Sequence, residues 1–269
     1  MRICIVGYGS IGKKHHKILL DMFPKAKFDI IDMNTEMTIE KCKNKCYDIL
    51  LVCTDSNNHL ETASKFPNVT KLIFIEKPLD ISSKKINLYK NKIDIDKVHV
   101  GCNLRFTNTY DELKKIEKKC KILNVVSLSY LPEWRKNNFE KSYSFYRSKG
   151  GGALLDFIHE PDYVFSIFGC PKKVNVVNTR NFDITKDSDD TCSMIWKYEN
   201  LIVNFLLSYC SKKYVRYFDV VDDESKYTRF DFTFDEIEQS YRKQWEYILS
   251  QGPCNSYNEC LQLYKKVCL

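Results

Sequence analysis

The chain has 269 residues, 43% hydrophobic and 29% charged, with 42 Lys and Arg against 35 Asp and Glu, a net charge of +7. That length and apolar content fill one large or two modest domains and exclude wholesale disorder. The lysines are scattered, with no basic run longer than two, which gives little support to nucleic acid; the excess matches a lysine-rich solvated surface first and an anionic small ligand second.

The N-terminal run RICIVGYG is too short for a signal-peptide core, and no apolar run approaches a membrane span. Twelve cysteines occur, but none in a CxxC pair. The nearest two, Cys42 and Cys46, lie in a lysine-rich stretch with no histidine spacing that completes a zinc site. Cys4, Cys53 and Cys102 sit inside apolar runs, where a thiol behaves as a small hydrophobe. The expectation is a cytoplasmic protein with reduced thiols, no metal and no membrane partner.

The first half alternates strand and helix patterns. RICIVGY (2–8) reads as a strand, and IGKKHHKILLDMF follows with Ile11, Ile18, Leu19, Met22 and Phe23 at helical spacing until Pro24 stops it. FDIID (28–32), YDILLVCT (47–54), LIFIE (72–76) and VHVGCN (98–103) are further strands, separated by helical segments such as HLETASKF and KKINLYKNK. This alternation predicts a doubly wound parallel sheet, a Rossmann-type domain over residues 1–120. GYGSIG opens the first helix, where a dinucleotide fingerprint belongs: Gly7 for the tight turn, Gly9 for close approach of a pyrophosphate, Gly12 for helix–strand packing. Ser10 and Ile11 lie between them at the helix N-terminus, which offers amide donors to phosphate. Asp32, 20 residues beyond Gly12, ends the second strand and suits the ribose hydroxyls. A carboxylate there favours NAD and leaves NADP as the alternative, because it repels a 2′-phosphate.

After about residue 121 the pattern changes to successive strands: ILNVVSLSYL, KVNVVNT (173–179), DTCSMIWKY (190–198), LIVNFLLSYC (201–210) and YVRYFDVV (214–221). Glu199-Asn200 reads as a hairpin turn, and DEIEQSYRKQWEYIL and YNECLQLYKKV as closing helices. Residues 121–269 are thus expected to form an α+β domain with an open, mainly antiparallel sheet. GGGALLDFIHEPDYVFSIFG (150–169) is expected to be helical and to cover one face, with Pro161, which lacks an amide donor, kinking or starting the helix and re-aiming His159. It crowds Asp156, His159, Glu160 and Asp162 into seven residues, which no ordinary amphipathic helix needs.

Several stretches together resemble the Gfo/Idh/MocA oxidoreductases of sugars and cyclic polyols. They are VGYGSIGKKHHKIL, CTDSNNH (53–59, with Thr54 and His59), IEKPLD (75–80), VGCNLRF (100–106), YLPEW, SDD (188–190), SYRKQWEYIL and the glycine-led helix. The resemblance covers essentially the whole chain. It implies an NAD(P)-dependent dehydrogenase or reductase acting on CH–OH groups, most like members of surface-glycan and sialic-acid-type sugar pathways, with a sugar or nucleotide-sugar substrate and a homodimer or homotetramer. By the same resemblance, Lys77, His159 and Asp156 are catalytic. Thr54, His59, Glu76 and Lys77 line the nicotinamide, and Asn103, Arg105, Glu160 and Asp162 contact substrate. Oxidising a secondary alcohol needs a base for the hydroxyl proton while hydride leaves, a task that suits His159 or Lys77. Glu76 then orients its segment, and Asp162, one turn on, is placed to hold His159. Members commonly show Asp-x-Gly-x-His-x-x-Asp. Counted back from Gly169, His159 and Asp162 keep their places and Asp156 is shifted by one, so Glu160 is the alternative for the acidic role. Asp55 replaces the usual proline after Thr54. Two rivals stand beside the enzyme reading: a non-catalytic dinucleotide sensor and a biliverdin-reductase-like enzyme.

Overall fold

The structure, a computed structural model, describes residues 1–134 and 139–267. It divides into two compact units, one of residues 1–102 and 241–269 and one of residues 103–240.

The first unit holds a parallel sheet of β1 (Arg2–Val6), β2 (Lys27–Ile31), β3 (Tyr47–Val52), β4 (Val69–Glu76) and β5 (Val98–Gly101) in the order β2-β1-β3-β4-β5. Helices α1 (Ser10–Met22), α2 (Ile39–Cys42), α3 (His59–Ser64) and α4 (Ser83–Tyr89) connect them. The inner strands are almost wholly buried, as parallel strands covered on both faces are. One core gathers Ile3, Ile5, Ile49, Leu51, Leu72 and Phe74 from the strands and Leu19 from α1.

In the second unit, α5 (Asn108–Ile116) leads into β6 (Cys120–Tyr130) and α6 (Leu131–Trp134). Then come α7 (Ala153–Asp156), α8 (His159–Phe168), β7 (Lys173–Thr179), β8 (Thr191–Lys197), β9 (Ile202–Ser208), β10 (Cys210–Asp222) and β11 (Tyr227–Asp231). The strand order is β11-β10-β6-β9-β8-β7, antiparallel throughout except for the parallel β6–β9 pair. The α/β reading with a second, mainly antiparallel sheet therefore holds.

The chain closes with α9 (Phe234–Gln251) and α10 (Tyr257–Val267). From Tyr241 onward it belongs to the first unit, so the boundary expected at 120/121 gives way to one at 102/103 with a C-terminal return. The cause is hydrophobic burial. Trp245 and Ile248 of α9 pack into the core of the parallel sheet, and the Asn255 carbonyl accepts from Val100 N–H (3.0 Å), capping the edge strand β5. Burying a Trp and an Ile is worth several kcal/mol, more than a sequential boundary offers. The helical stretch over 150–169 is broken at Phe157–Ile158, and Pro161 falls in the first turn of α8, where its missing N–H costs nothing, in line with the expectation that it kinks or starts a helix there. The strand β11 has no counterpart in the sequence reading.

Candidate active site

In the first unit, the turn after β1 requires two of its three glycines sterically. Gly7 has φ +92°, and a Cβ there would overlap the Cys53 carbonyl. A Cβ on Gly12 would overlap the Gly7 carbonyl oxygen, so α1 can lie this close to the strand only without one. Gly9 differs. It sits at the N-cap of α1 with φ −72°, a conformation open to any residue, and a Cβ would meet nothing within 4 Å. No side chain caps this helix, and Gly9 and Ser10 are exposed, with Ile11 half-buried beside them. Asp32 follows β2, its Oδ2 accepting the Tyr8 amide at 2.8 Å, while Thr35 Oγ1 accepts from the Asp32 amide at 3.0 Å. The cradle thus has a fixed carboxylate, uncapped helical amides and a vacant space over Gly9. It fits a dinucleotide pyrophosphate and ribose.

At the end of β4, Glu76 is buried and its Oε2 accepts the Lys77 amide (3.2 Å), while Lys77 itself is half-buried. His59 is buried between two carbonyls, with Nδ1 2.8 Å from Pro78 O and Nε2 2.8 Å from Thr54 O. Burial pulls its pKa below 6.5, against the opposing pull of those carbonyls. His59 thus lies between the Thr54 loop and the Lys77–Pro78 loop, where a neutral ring donates its one N–H to one of the two carbonyls.

In the second unit the glycine run is sterically required. Gly152 has φ +127°, and a Cβ there would overlap the Asp189 carboxylate, as a Cβ on Gly151 would overlap the Ser144 carbonyl. Asp189 in turn accepts from Leu154 N–H (3.4 Å), and burial pushes its pKa up. This packing starts α7 and delivers Asp156, 2% exposed, to three hydroxyl donors. Tyr143 OH reaches Oδ1 at 2.6 Å, Ser144 Oγ reaches Oδ2 at 2.6 Å, and Tyr209 OH also donates to Oδ2. Burial beside this carboxylate pushes the Tyr209 phenol far up. His159 opens α8 and is 7% exposed. Glu160 pairs with Arg216 (2.8 Å), and Asp162 takes a two-pronged grip from Arg105 (2.7 and 2.8 Å). Asn103 donates to Ser240 Oγ at 2.7 Å.

Asp162 is thus gripped by Arg105, Asp156 by hydroxyls and Asn103 by Ser240, all within the second unit. Sequence reasoning missed Arg216, Tyr143, Ser144 and Tyr209. The SYS of residues 142–144 was the one visible signal, and Arg216 lies on a strand where nothing local marks it. Among the described residues no three His, Cys, Asp or Glu side chains gather as a metal set. Eleven cysteines are free thiols; Cys268 lies outside the described residues.

With this geometry in view, the fold can be compared with known proteins. No family model matches the chain. The inositol 2-dehydrogenase of Rhizobium meliloti (strain 1021) is 26% identical over 133 residues, 43% of this chain and 40% of that protein, so the match spans less than half the relative's length. Among solved structures, myo-inositol 2-dehydrogenase from Lactobacillus plantarum superposes with a TM-score of 0.80 at 15% identity, covering 98% of this chain and 94% of that one. The Lactobacillus casei scyllo-inositol dehydrogenase, solved with NAD(H) and scyllo-inositol, gives a TM-score of 0.74 at 16% identity, covering 98% and 94%. The chain has the fold of these two-domain dehydrogenases along nearly its whole length.

Proposed function

We propose that the protein is an NAD(H)-dependent oxidoreductase interconverting a secondary hydroxyl and a ketone on a sugar or cyclic polyol. The observation that carries this reading is Gly9, a glycine that neither backbone conformation nor packing demands, standing over vacant space at an uncapped helix N-terminus. A phosphate seated there accounts for it. The inositol dehydrogenases of the same fold, one of them solved with NAD(H) and scyllo-inositol, support the cofactor and the polyol class. NAD is preferred over NADP through Asp32.

Bound nicotinamide supplies the hydride acceptor. His159 takes the hydroxyl proton during oxidation and returns it during reduction, and Lys77 serves the same turnover by polarising the substrate oxygen. Arg105 and Arg216 fix Asp162 and Glu160 in place on the His159 helix, the two side chains that this reading assigns to the substrate's hydroxyls. Asp156 is set apart from proton transfer by its three donors and braces the helix start. At a finer level the substrate is a sugar or nucleotide-sugar of surface-glycan synthesis, and the chain forms a homodimer in the cytoplasm. Val177, Ile195, Ile202, Leu206 and Ile122, exposed on one face of the second sheet, support the dimer.

The test is turnover of inositols and nucleotide-sugars with NAD, alongside His159→Ala and Lys77→Ala. Each variant should lower kcat by roughly 10²-fold, the scale of a positioned acid–base group, with nucleotide affinity unchanged. Wild-type turnover by His159→Ala would sink the assignment, and NADH binding without turnover of any sugar would favour the sensor.

A further inference from the structure

The end of β4 is held from behind by a relay of buried groups. Trp245 of α9 stacks on Phe74 of β4, with centroids 4.6 Å apart and planes at 22°, and its indole N–H donates to His15 Nδ1 at 2.8 Å. His15, on α1 three residues after Gly12, is fully buried, and its Nε2 lies 2.7 Å from Glu76 Oε1. Glu76 Oε2 accepts the amide of Lys77 at 3.2 Å. A Cβ on Gly101 would stand 2.9 Å from Glu76 Oε1, so the strand beside it leaves just enough room for the carboxylate.

The two ends of this relay fix every proton in it. An indole N–H and a peptide N–H can only donate. His15 must therefore offer a lone pair at Nδ1 and an N–H at Nε2, and Glu76 accepts at both oxygens. The other neutral tautomer would set Nδ1–H against the indole N–H and the Nε2 lone pair against the carboxylate. An imidazolium would keep the first of those clashes. Tyr241 and Cys53 also face the relay. Tyr241 presents its ring edge to His15 at 5.8 Å, and Cys53 is a thiol whose pKa burial and the Glu76 charge push well up.

We propose that Trp245 and His15 are positioning residues for Lys77. By locking one tautomer of His15 they fix the Glu76 carboxylate, and Glu76 fixes the backbone from which the Lys77 ammonium extends. The inference rests on the reading of Lys77 as a group that acts in turnover. It gives α9, from the far end of the chain, a part in the chemistry beyond filling the core.

Trp245→Phe keeps the ring on Phe74 and deletes only the donor. Nitrogen-15 spectra of wild-type histidine side chains should show His15 with a pyridine-type Nδ1 and a pyrrole-type Nε2. In Trp245→Phe that fixed pattern should be lost and the Lys77 amide proton resonance should move. With substrate, kcat should fall roughly tenfold, as for a catalytic group displaced by a fraction of an ångström, with dinucleotide affinity unchanged. The same substitution made in Lys77→Ala should cost nothing further. His15→Gln, which keeps an N–H for Glu76, should retain more activity than His15→Leu. A protonated Nδ1 in the wild type, or an equal kcat loss in the Lys77→Ala background, overturns the proposal. If no sugar is turned over, the enzyme reading fails, while the spectra still decide whether the relay orders Lys77.

Discussion

Asp156 is where structure and motif pull apart most, and Asp156→Asn separates them. The wild-type carboxylate is buried and accepts three hydroxyls, from Tyr143, Ser144 and Tyr209. Asparagine keeps one oxygen and turns the other into an NH2, which settles with least conflict at the Oδ1 site, facing the single hydroxyl of Tyr143. All three bonds lose their charged acceptor. A bond to a charged group contributes about 1 kcal/mol more than a neutral one, so the gross loss is about 3 kcal/mol. Relief from burying the charge offsets part of it and leaves about 2 kcal/mol. For a chain this size that lowers Tm by roughly 4–8 °C in calorimetry. kcat should fall less than tenfold, because the brace is loosened and no reacting group is removed. An Asp156→Asn protein with wild-type Tm and the kcat loss of His159→Ala would refute this reasoning and make Asp156 a proton-transfer residue.

Other outcomes follow from the same geometry. Gly9→Val should leave Tm within about 2 °C of wild type, as a surface substitution does, yet abolish quenching of tryptophan fluorescence by NADH. Gly12→Ala, whose methyl overlaps the Gly7 carbonyl, should cost about 3 kcal/mol even without nucleotide. Burial raises the Asp80 pKa to about 6, above its unfolded value of about 3.9, so its stabilising share is complete below about pH 4 and lost as pH rises through 6. Denaturant titrations from pH 4 to pH 7 should show wild type losing roughly 2 kcal/mol relative to Asp80→Asn; parallel profiles would reject the shift. Denatured protein prepared without reductant should titrate close to twelve thiols, with well under one equivalent of zinc in the native protein.

The sheet of the first unit was legible because its strands carry an unmistakable pattern. β3 and β4 each carry an unbroken apolar stretch, ILLV and LIFI, as strands buried between two helical layers do. β11 was not legible. Its TRF core alternates in the ordinary way, but it is a polar edge strand of five residues paired only with β10, and such a strand is defined by its partner. The C-terminal return escaped for a related reason. Nothing local in SYRKQWEYIL says which core its tryptophan enters; that is decided by a hole beside Phe74 and by the lone pair of His15.

The candidate site divides along the same line. Gly7, Gly9, Gly12 and Asp32 are set by short-range geometry, a turn and the strand next to it, so spacing alone reveals them. The acidic residues of the His159 helix were visible as an excess of charge, but their partners were not. Arg105 and Arg216 reach Asp162 and Glu160 from 57 and 56 positions away, and the three donors to Asp156 come from two separate segments. A buried carboxylate must find partners, and the sequence states that need without saying who meets it. Hydroxyls reach Asp156, Arg216 reaches Glu160 and Arg105 reaches Asp162. Three carboxylates in seven residues thus draw partners from segments far away in the chain, and the reading proposed above gives proton exchange with the substrate to His159, the histidine that opens the same helix.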